Sequence, residues 1–220
     1  ALMINNCPIC QGDTFKVVLS IDTAQVYQFV RKEIIPSLTE FSELEIVQCA
    51  ICSHLFNRSF ASHLGVRMYG DTPLSNILIH VSMMDSLKSI SRKIGSEKYE
   101  GKKVIEIGAG TGHLARILAQ RAFQVTVFEP CLGLRAEMLP EKNIRLSNKN
   151  FSAGEISEPA DLIVSRQVIE HLDNPDGIIS DIVESLTAGG FAYLEVPRAE
   201  YITKYLAIGD FHLAHVQYFT

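Results

Sequence analysis

The stretch KVIEIGAGTGHLARIL, Lys103 to Leu118, constrains this chain more than any other. An apolar, β-branched run ends in three glycines at alternate positions, Gly108, Gly110 and Gly112, and a helical apolar pattern follows at once. Glycine adopts positive φ without penalty and lets backbone pass close to a ligand. A strand that turns through such a loop into a helix ends at free N–H groups and a partial positive charge, which suit an anionic group. The stretch therefore predicts a strand–helix unit built around a nucleotide-type cofactor.

The residues that follow repeat this alternation. KVIEI, QVTVFE, NIRLS, DLIVS and FAYLEV read as strands, the third weakly. The first helix carries the stripe Leu114, Ile117, Leu118 and Ala122, with Thr111 as its expected cap. A second is expected over NPDGIISDIVESLTAGG, with Pro175 in its first turn, Asp173 or Asn174 capping it and Gly189 past its end. Strands alternating with helices at this spacing imply an α/β fold with a parallel, doubly wound sheet. Such sheets usually carry one or two more strands, so the chain reads as truncated at that edge. Upstream, Ile77, Val81, Met84, Leu87, Ile90 and Ile94 form one apolar stripe, a connecting helix that Gly95 would stop. This gives three expected segments: 1–65, 66–95 and 96–220.

The first segment holds CPIC (Cys7, Cys10) and CAIC (Cys49, Cys52), with 38 residues between the pairs, and short apolar pieces such as FKVVLSI and LEIVQC. Each knuckle sets two thiolates to grip one metal, and two knuckles complete a four-thiolate tetrahedron that suits structural Zn2+. His54 lies near the second knuckle and reads as a packing histidine; Cys131 reads as a simple thiol.

Composition excludes several classes. Of 220 residues, 47% are hydrophobic and 20% charged, with a net charge of -5, so no basic stripe favours nucleic acid as a partner. No signal-peptide pattern and no membrane-spanning apolar run is visible, so a cytoplasmic location is expected. Nothing in the sequence signals an oligomeric state.

The glycine pattern narrows the cofactor. A P-loop needs Lys and Ser/Thr after its last glycine, where His113 and Leu114 stand. The dinucleotide fingerprint needs a third glycine at position 113. Instead Glu106 precedes Gly108 by two residues. VIEIGAGTGHLA resembles the first motif, E/D-x-G-x-G-x-G, of class I S-adenosyl-L-methionine-dependent methyltransferases. Glu129 lies 21 positions after Gly108, SRQVIEHLDNP resembles the fourth-strand segment of that family, and AGGFAYLEVPR resembles its fifth strand. The resemblance implies a Rossmann-like methyltransferase core. It puts Glu106 and Gly108–Gly112, with Ala109, at the methionine end of the cofactor. It puts Glu129 on the ribose, Asn150 and Phe151 beside the adenine, and Arg166, Gln167 and Val168 beside the sulfonium. The alternative reading of Arg166 and Gln167 is a solvated strand end, and that of Phe151 is plain core.

A cysteine module, a helical connector and a methyltransferase core together resemble the zinc-containing C-methyltransferases of deoxysugar biosynthesis, which act on nucleotide-linked keto-sugars. HLAHVQYFT resembles their YHEH-x-x-YF segment through His215, Tyr218 and Phe219, but has His212 for the Tyr and Ala214 for the Glu. The resemblance implies a small-molecule substrate, such as a nucleotide-linked sugar or related metabolite. His215 would be the catalytic base, with His212 or Tyr69 assisting, and His171 would support the fourth-strand turn. Two other readings remain at this stage: an impaired cofactor-binding module that docks a partner, and an NAD-dependent oxidoreductase.

Overall fold

A computed structural model describes residues 3–25, 41–60, 81–94, 102–121, 123–131 and 136–220. Tyr69, Ile77, Gly95 and Ala122 lie outside the described residues. The described strands are β1 (Phe15–Gln25), β2 (Phe41–Cys49), β3 (Leu55–Asn57), β4 (Lys103–Ile107), β5 (Gln124–Phe128), β6 (Ile144–Ser147), β7 (Ala160–Arg166), β8 (Leu186–Glu195) and β9 (Gln217–Tyr218). The helices are α1 (Val81–Ile94), α2 (His113–Ala119), α3 (Pro175–Glu184) and α4 (Ala199–Tyr205).

The chain divides into two compact units. One comprises Tyr69–Val168 and Gly177–Glu195; the other comprises Ala1–Met68, Ile169–Asp176 and Val196–Thr220.

The first unit is a five-stranded parallel sheet in the order β6-β5-β4-β7-β8. The chain winds outward from β4 through β5 to β6, then returns to β7 on the other side, so the order reverses between β4 and β7. Successive side chains alternate faces. Val104, Val125, Val127, Leu162 and Val164 bury against Leu87, Ile90 and Ile94 of α1 and Leu114 and Leu118 of α2. Ile105, Ile107, Phe128 and Ile163 bury on the other face with Phe151 and Ile182. Apolar residues in both registers are what a parallel sheet covered on both faces requires. The α1 stripe is thus core from Leu87 to Ile94, and this sheet is the Rossmann-like architecture the sequence predicts.

Two local expectations fail. Thr111 is not the cap of α2; Gly112 holds the cap position at φ 73°, a left-handed conformation, and no side chain caps the helix. Gly189 does not stop α3, which ends at Glu184; it lies inside β8 at φ 80°. β8 starts five residues before FAYLEV because Leu186 already pairs with Ala160, and an irregularity absorbs the extra residues before Phe191 meets Leu162.

The second unit is antiparallel, ordered β1-β2-β3-β9. Its small central cluster is Cys7, Val47, Cys49 and Phe56, flanked by Ile4 and Phe15. The closing segment belongs here: Leu55 pairs with Tyr218 and Phe56 with Gln217. No helix among the described residues is long and apolar enough to cross a membrane.

Candidate functional site

In open α/β sheets, ligands bind at the carboxyl ends of strands where the order reverses. Here that point lies between β4 and β7, and a cleft of about 170 Å³ occupies it. Glu106, Gly108, Ala109, Arg166 and Gln167 line the cleft, together with Thr111 and His113. The three glycines that open this turn all take positive φ, 70°, 58° and 73°. At Gly108 a Cβ would also stand 2.3 Å from Val168 Cγ2, so the β4 turn and the β7 turn approach each other only because the residue is glycine.

Glu106 is the unusual member. It is 5% exposed, and its Oε2 is buried with no hydrogen-bond partner. Burial pushes its carboxyl up to about 8, despite the Arg166 charge and the Ala115 N–H, with Glu129 adding to the rise. A buried carboxyl oxygen without a donor calls for a donor from elsewhere. Arg166 is held in place by Glu195, its register partner on β8: Nε and Nη2 donate to Oε1 at 3.2 and 2.8 Å, while Tyr193 O–H donates to Oε2 at 3.0 Å. Burial opposes ionisation of Glu195, but Arg166 outweighs it and keeps the carboxyl below its usual range. Gln167 takes φ 54°, uncommon for a residue with a Cβ, and its N–H donates to the Glu195 carbonyl at 2.8 Å.

The other expected cofactor positions fall elsewhere. Glu129 directly follows β5, where its Oε2 accepts Gly110 N–H at 2.8 Å and its Oε1 accepts Cys131 N–H at 2.9 Å. Burial raises its proton affinity, and these two donors counter the rise. Phe151 is buried, edge-on to Phe128 with ring centroids 5.4 Å apart. Asn150 is exposed and Gly112 is the α2 cap. Thr111, His113, Met83, Ser86 and Leu87 also border the cleft. The sequence offered a signal for two of these, since Thr111 and His113 flank the last glycine; the α1 residues came to the cleft through tertiary packing.

In the second unit, the four cysteine sulfurs lie within 4.8 Å of one another. Cys7 Sγ is 3.6 Å from Cys52 Sγ, and Cys10 Sγ is 3.5 Å from Cys49 Sγ. Thiolates bound to zinc at about 2.3 Å sit roughly 3.8 Å apart at tetrahedron edges, so the donor set fits that ion. His54 is not a fifth donor: its Nε2 bonds Gln217 Oε1 at 2.8 Å, and its ring stacks near Phe56.

The same unit gathers three histidines. His212 and His215 lie tilted by 42° with ring centroids 3.8 Å apart, and the His171 ring lies 4.9 Å from that of His215. Burial lowers the proton affinity of all three. With His171 and His212 beside it, His215 falls to about 2, and His212 falls to about 4. Imidazoles packed this closely stay neutral, because a charge on one would be both desolvated and opposed.

Residues 81–220 match the family described as "Methyltransferase domain". The chain belongs to that family. Among similar proteins are two ubiquinone biosynthesis O-methyltransferases. The one from Stutzerimonas stutzeri is 31% identical over 97 residues, covering 41% of this chain and 42% of that protein. The one from Leptothrix cholodnii is 26% identical over 148 residues, covering 58% of this chain and 62% of that protein. The chain thus spans less than two thirds of the length of these relatives. A solved structure of N-methyltransferase NodS from Bradyrhizobium japonicum, in complex with S-adenosyl-L-homocysteine, is similar at 19% identity and TM-score 0.47, covering 66% of this chain and 71% of that one.

Proposed function

We propose that this chain transfers a methyl group from S-adenosyl-L-methionine to a small molecule. The observation that carries the reading is Glu106: a buried carboxyl oxygen without a donor, in the cleft where β4 and β7 diverge. The ammonium of the cofactor's methionine end would supply that donor and draw the carboxyl into its ionised form. Gly108, Ala109, Gly110 and Gly112 bring backbone alongside the same end. Glu129 already uses one lone pair of each oxygen on Gly110 and Cys131, and a second on each can accept a ribose hydroxyl. Asn150 and Phe151 border the adenine in this reading, and Arg166, fixed by Glu195, faces the sulfonium side with Gln167. Bound cofactor supplies an electrophilic methyl; the chain's own residues orient it and exclude water. A nicotinamide dinucleotide suits the cleft less well, because Glu106 would oppose a pyrophosphate.

The cysteine-bearing unit holds a structural Zn2+ through Cys7, Cys10, Cys49 and Cys52, and leaves the metal no open position for chemistry. For the acceptor, the ubiquinone-pathway relatives and the deoxysugar resemblance point to a small organic molecule, a nucleotide-linked sugar among the candidates. Proton removal is assigned to His215, with His212 or Tyr69 assisting. A free imidazole pushed to about 2 accepts protons poorly, so this assignment needs its own test. His215→Ala with unchanged turnover would remove His215 from the reaction.

The reading is tested by thermal shift. S-adenosyl-L-homocysteine at about 100-fold over its Kd stabilises by roughly 2.7 kcal/mol, which raises Tm by several degrees. NADH leaves Tm unchanged. The opposite pattern overturns the proposal. Labelled methyl transfer to nucleotide sugars and to hydroxyl-bearing precursors of ubiquinone then sorts the acceptor class.

A further inference from the structure

The histidine cluster contains a second constellation that methyl transfer does not explain. Glu170, His171 and His215 each offer a ligand atom, and these atoms lie within 4.8 Å of one another. Their backbone is pinned by a long-range contact: Val216 N–H donates to the Glu170 carbonyl at 2.7 Å. His171 Nδ1 lies 2.8 Å from the Ala214 carbonyl. A carbonyl only accepts, so Nδ1 carries the proton and Nε2 keeps its lone pair. A backbone carbonyl fixing the tautomer in this way is the habit of metal-ligating histidines. That Nε2 stands 3.9 Å from Glu170 Oε1, near enough for both to reach one ion. Glu170 itself is 1% exposed. Beside them His212 Nδ1 is buried with no hydrogen-bond partner.

We propose that Glu170, His171 and His215 bind a divalent first-row transition cation. Two imidazoles and one carboxylate suit Mn2+, Fe2+ or Zn2+ and leave coordination positions open. Of the three, His215 also lines a cleft of about 560 Å³ in the same unit, together with Tyr218, Asp210, Tyr201, Glu200 and Pro197. An oxygen donor entering that cleft, a hydroxyl or carboxylate, would complete the shell. Binding would make His215 a ligand rather than a free base, and the cation would acidify a coordinated hydroxyl. The site is separate in chemistry from the four cysteines, whose thiolates select softer ions.

The proposal is read without any cofactor, so it stands apart from methyl transfer. The full chain, loaded with one equivalent of Zn2+ for the cysteines, is titrated with Mn2+ and followed by electron paramagnetic resonance. One Mn2+ is retained per chain. His171→Asn and His215→Asn each weaken it at least 10-fold. On the unaltered protein, substoichiometric Mn2+ broadens the ring proton signals of His171 and His215 before those of His54, which reads the site even if a variant misfolds. No retention of Mn2+ at millimolar concentration, or equal broadening of all three histidines, overturns the proposal.

Discussion

The cysteine cluster and the glycine-lined cleft both gather groups suited to holding a ligand, but they stand in opposite relations to the fold. Around the cysteines, two of the four members of the central cluster are Cys7 and Cys49 themselves. Those two thiols are part of a buried cluster, so an ion held by the four cysteines would tie that cluster together. Around the cleft, both faces of the parallel sheet are packed by Val104, Ile105, Leu162 and Ile163 and their neighbours, none of which is a ligand residue. That fold stands first and presents Glu106 afterwards. In the first case a ligand makes structure; in the second, structure prepares for a ligand.

The largest expected effect tests the first half of that comparison. Chelation of Zn2+, or Cys49→Ser, removes the cross-link and loosens the buried cluster around it. Structural zinc contributes folding free energy outright. The antiparallel unit should therefore lose a Tm on the order of 10 °C or more, while S-adenosyl-L-homocysteine still stabilises the sheet unit. Calorimetry with and without chelator checks this. A single unshifted transition would mean the cysteines hold no structural ion.

Next in size, Glu106→Gln should weaken cofactor binding about 10- to 100-fold, the worth of a charge-assisted hydrogen bond. Because no core contact is lost, the variant remains folded. Isothermal titration with S-adenosyl-L-homocysteine gives the ratio; an unchanged Kd would place the methionine end elsewhere. Glu129→Ala should act differently. It leaves Gly110 and Cys131 N–H groups without their acceptor, so it costs stability of about 1–3 kcal/mol as well as cofactor affinity. Loss of affinity with no loss of stability would mean those two hydrogen bonds are dispensable.

What the sequence could announce in advance follows the same division. Cys7 with Cys10, Cys49 with Cys52, and Gly108 with Gly112 are local spacings, and chemistry that works at short range is visible in a string of residues. The α1 stripe is visible too, because a helix repeats its buried face every turn. Thr111 and Gly189 misled for different reasons: Gly112 at positive φ takes the cap position from Thr111, and strand pairing claims the segment that holds Gly189. A threonine before a helix reads as a cap, and TAGG after one reads as a stop, until the Leu186–Ala160 pairing makes the latter a strand. Beyond local reach lay the partners joined by topology. Arg166 meets Glu195 only because β7 and β8 are in register. Glu170 and His171 meet His215 only because the chain's closing segment returns to pair with β3.

The smallest effect concerns the proton on Glu106. Its carboxyl, ordinarily near 4.5, is raised to about 8 by burial in the cofactor-free fold. A group whose affinity is raised keeps its proton in the folded state where the unfolded chain has released it. Between about pH 4.5 and 8 the folded state thus binds more protons, and this group's contribution to stability falls as pH rises, levelling off above about 8. Glu106→Gln abolishes the slope. Without cofactor, the variant should match the natural chain at pH 5 and exceed its Tm by at least about 2 °C at pH 8. With cofactor the sign reverses. An ammonium partner favours the ionised carboxyl, so affinity in the natural chain should climb from pH 6.5 to pH 8, and Glu106→Gln should flatten that climb. Tm and Kd measured across this range on both chains give two slopes of opposite sign from one residue. A natural chain with neither slope would show that Glu106 is already ionised and partnered, and the cleft would then belong with the self-sufficient parts of the fold.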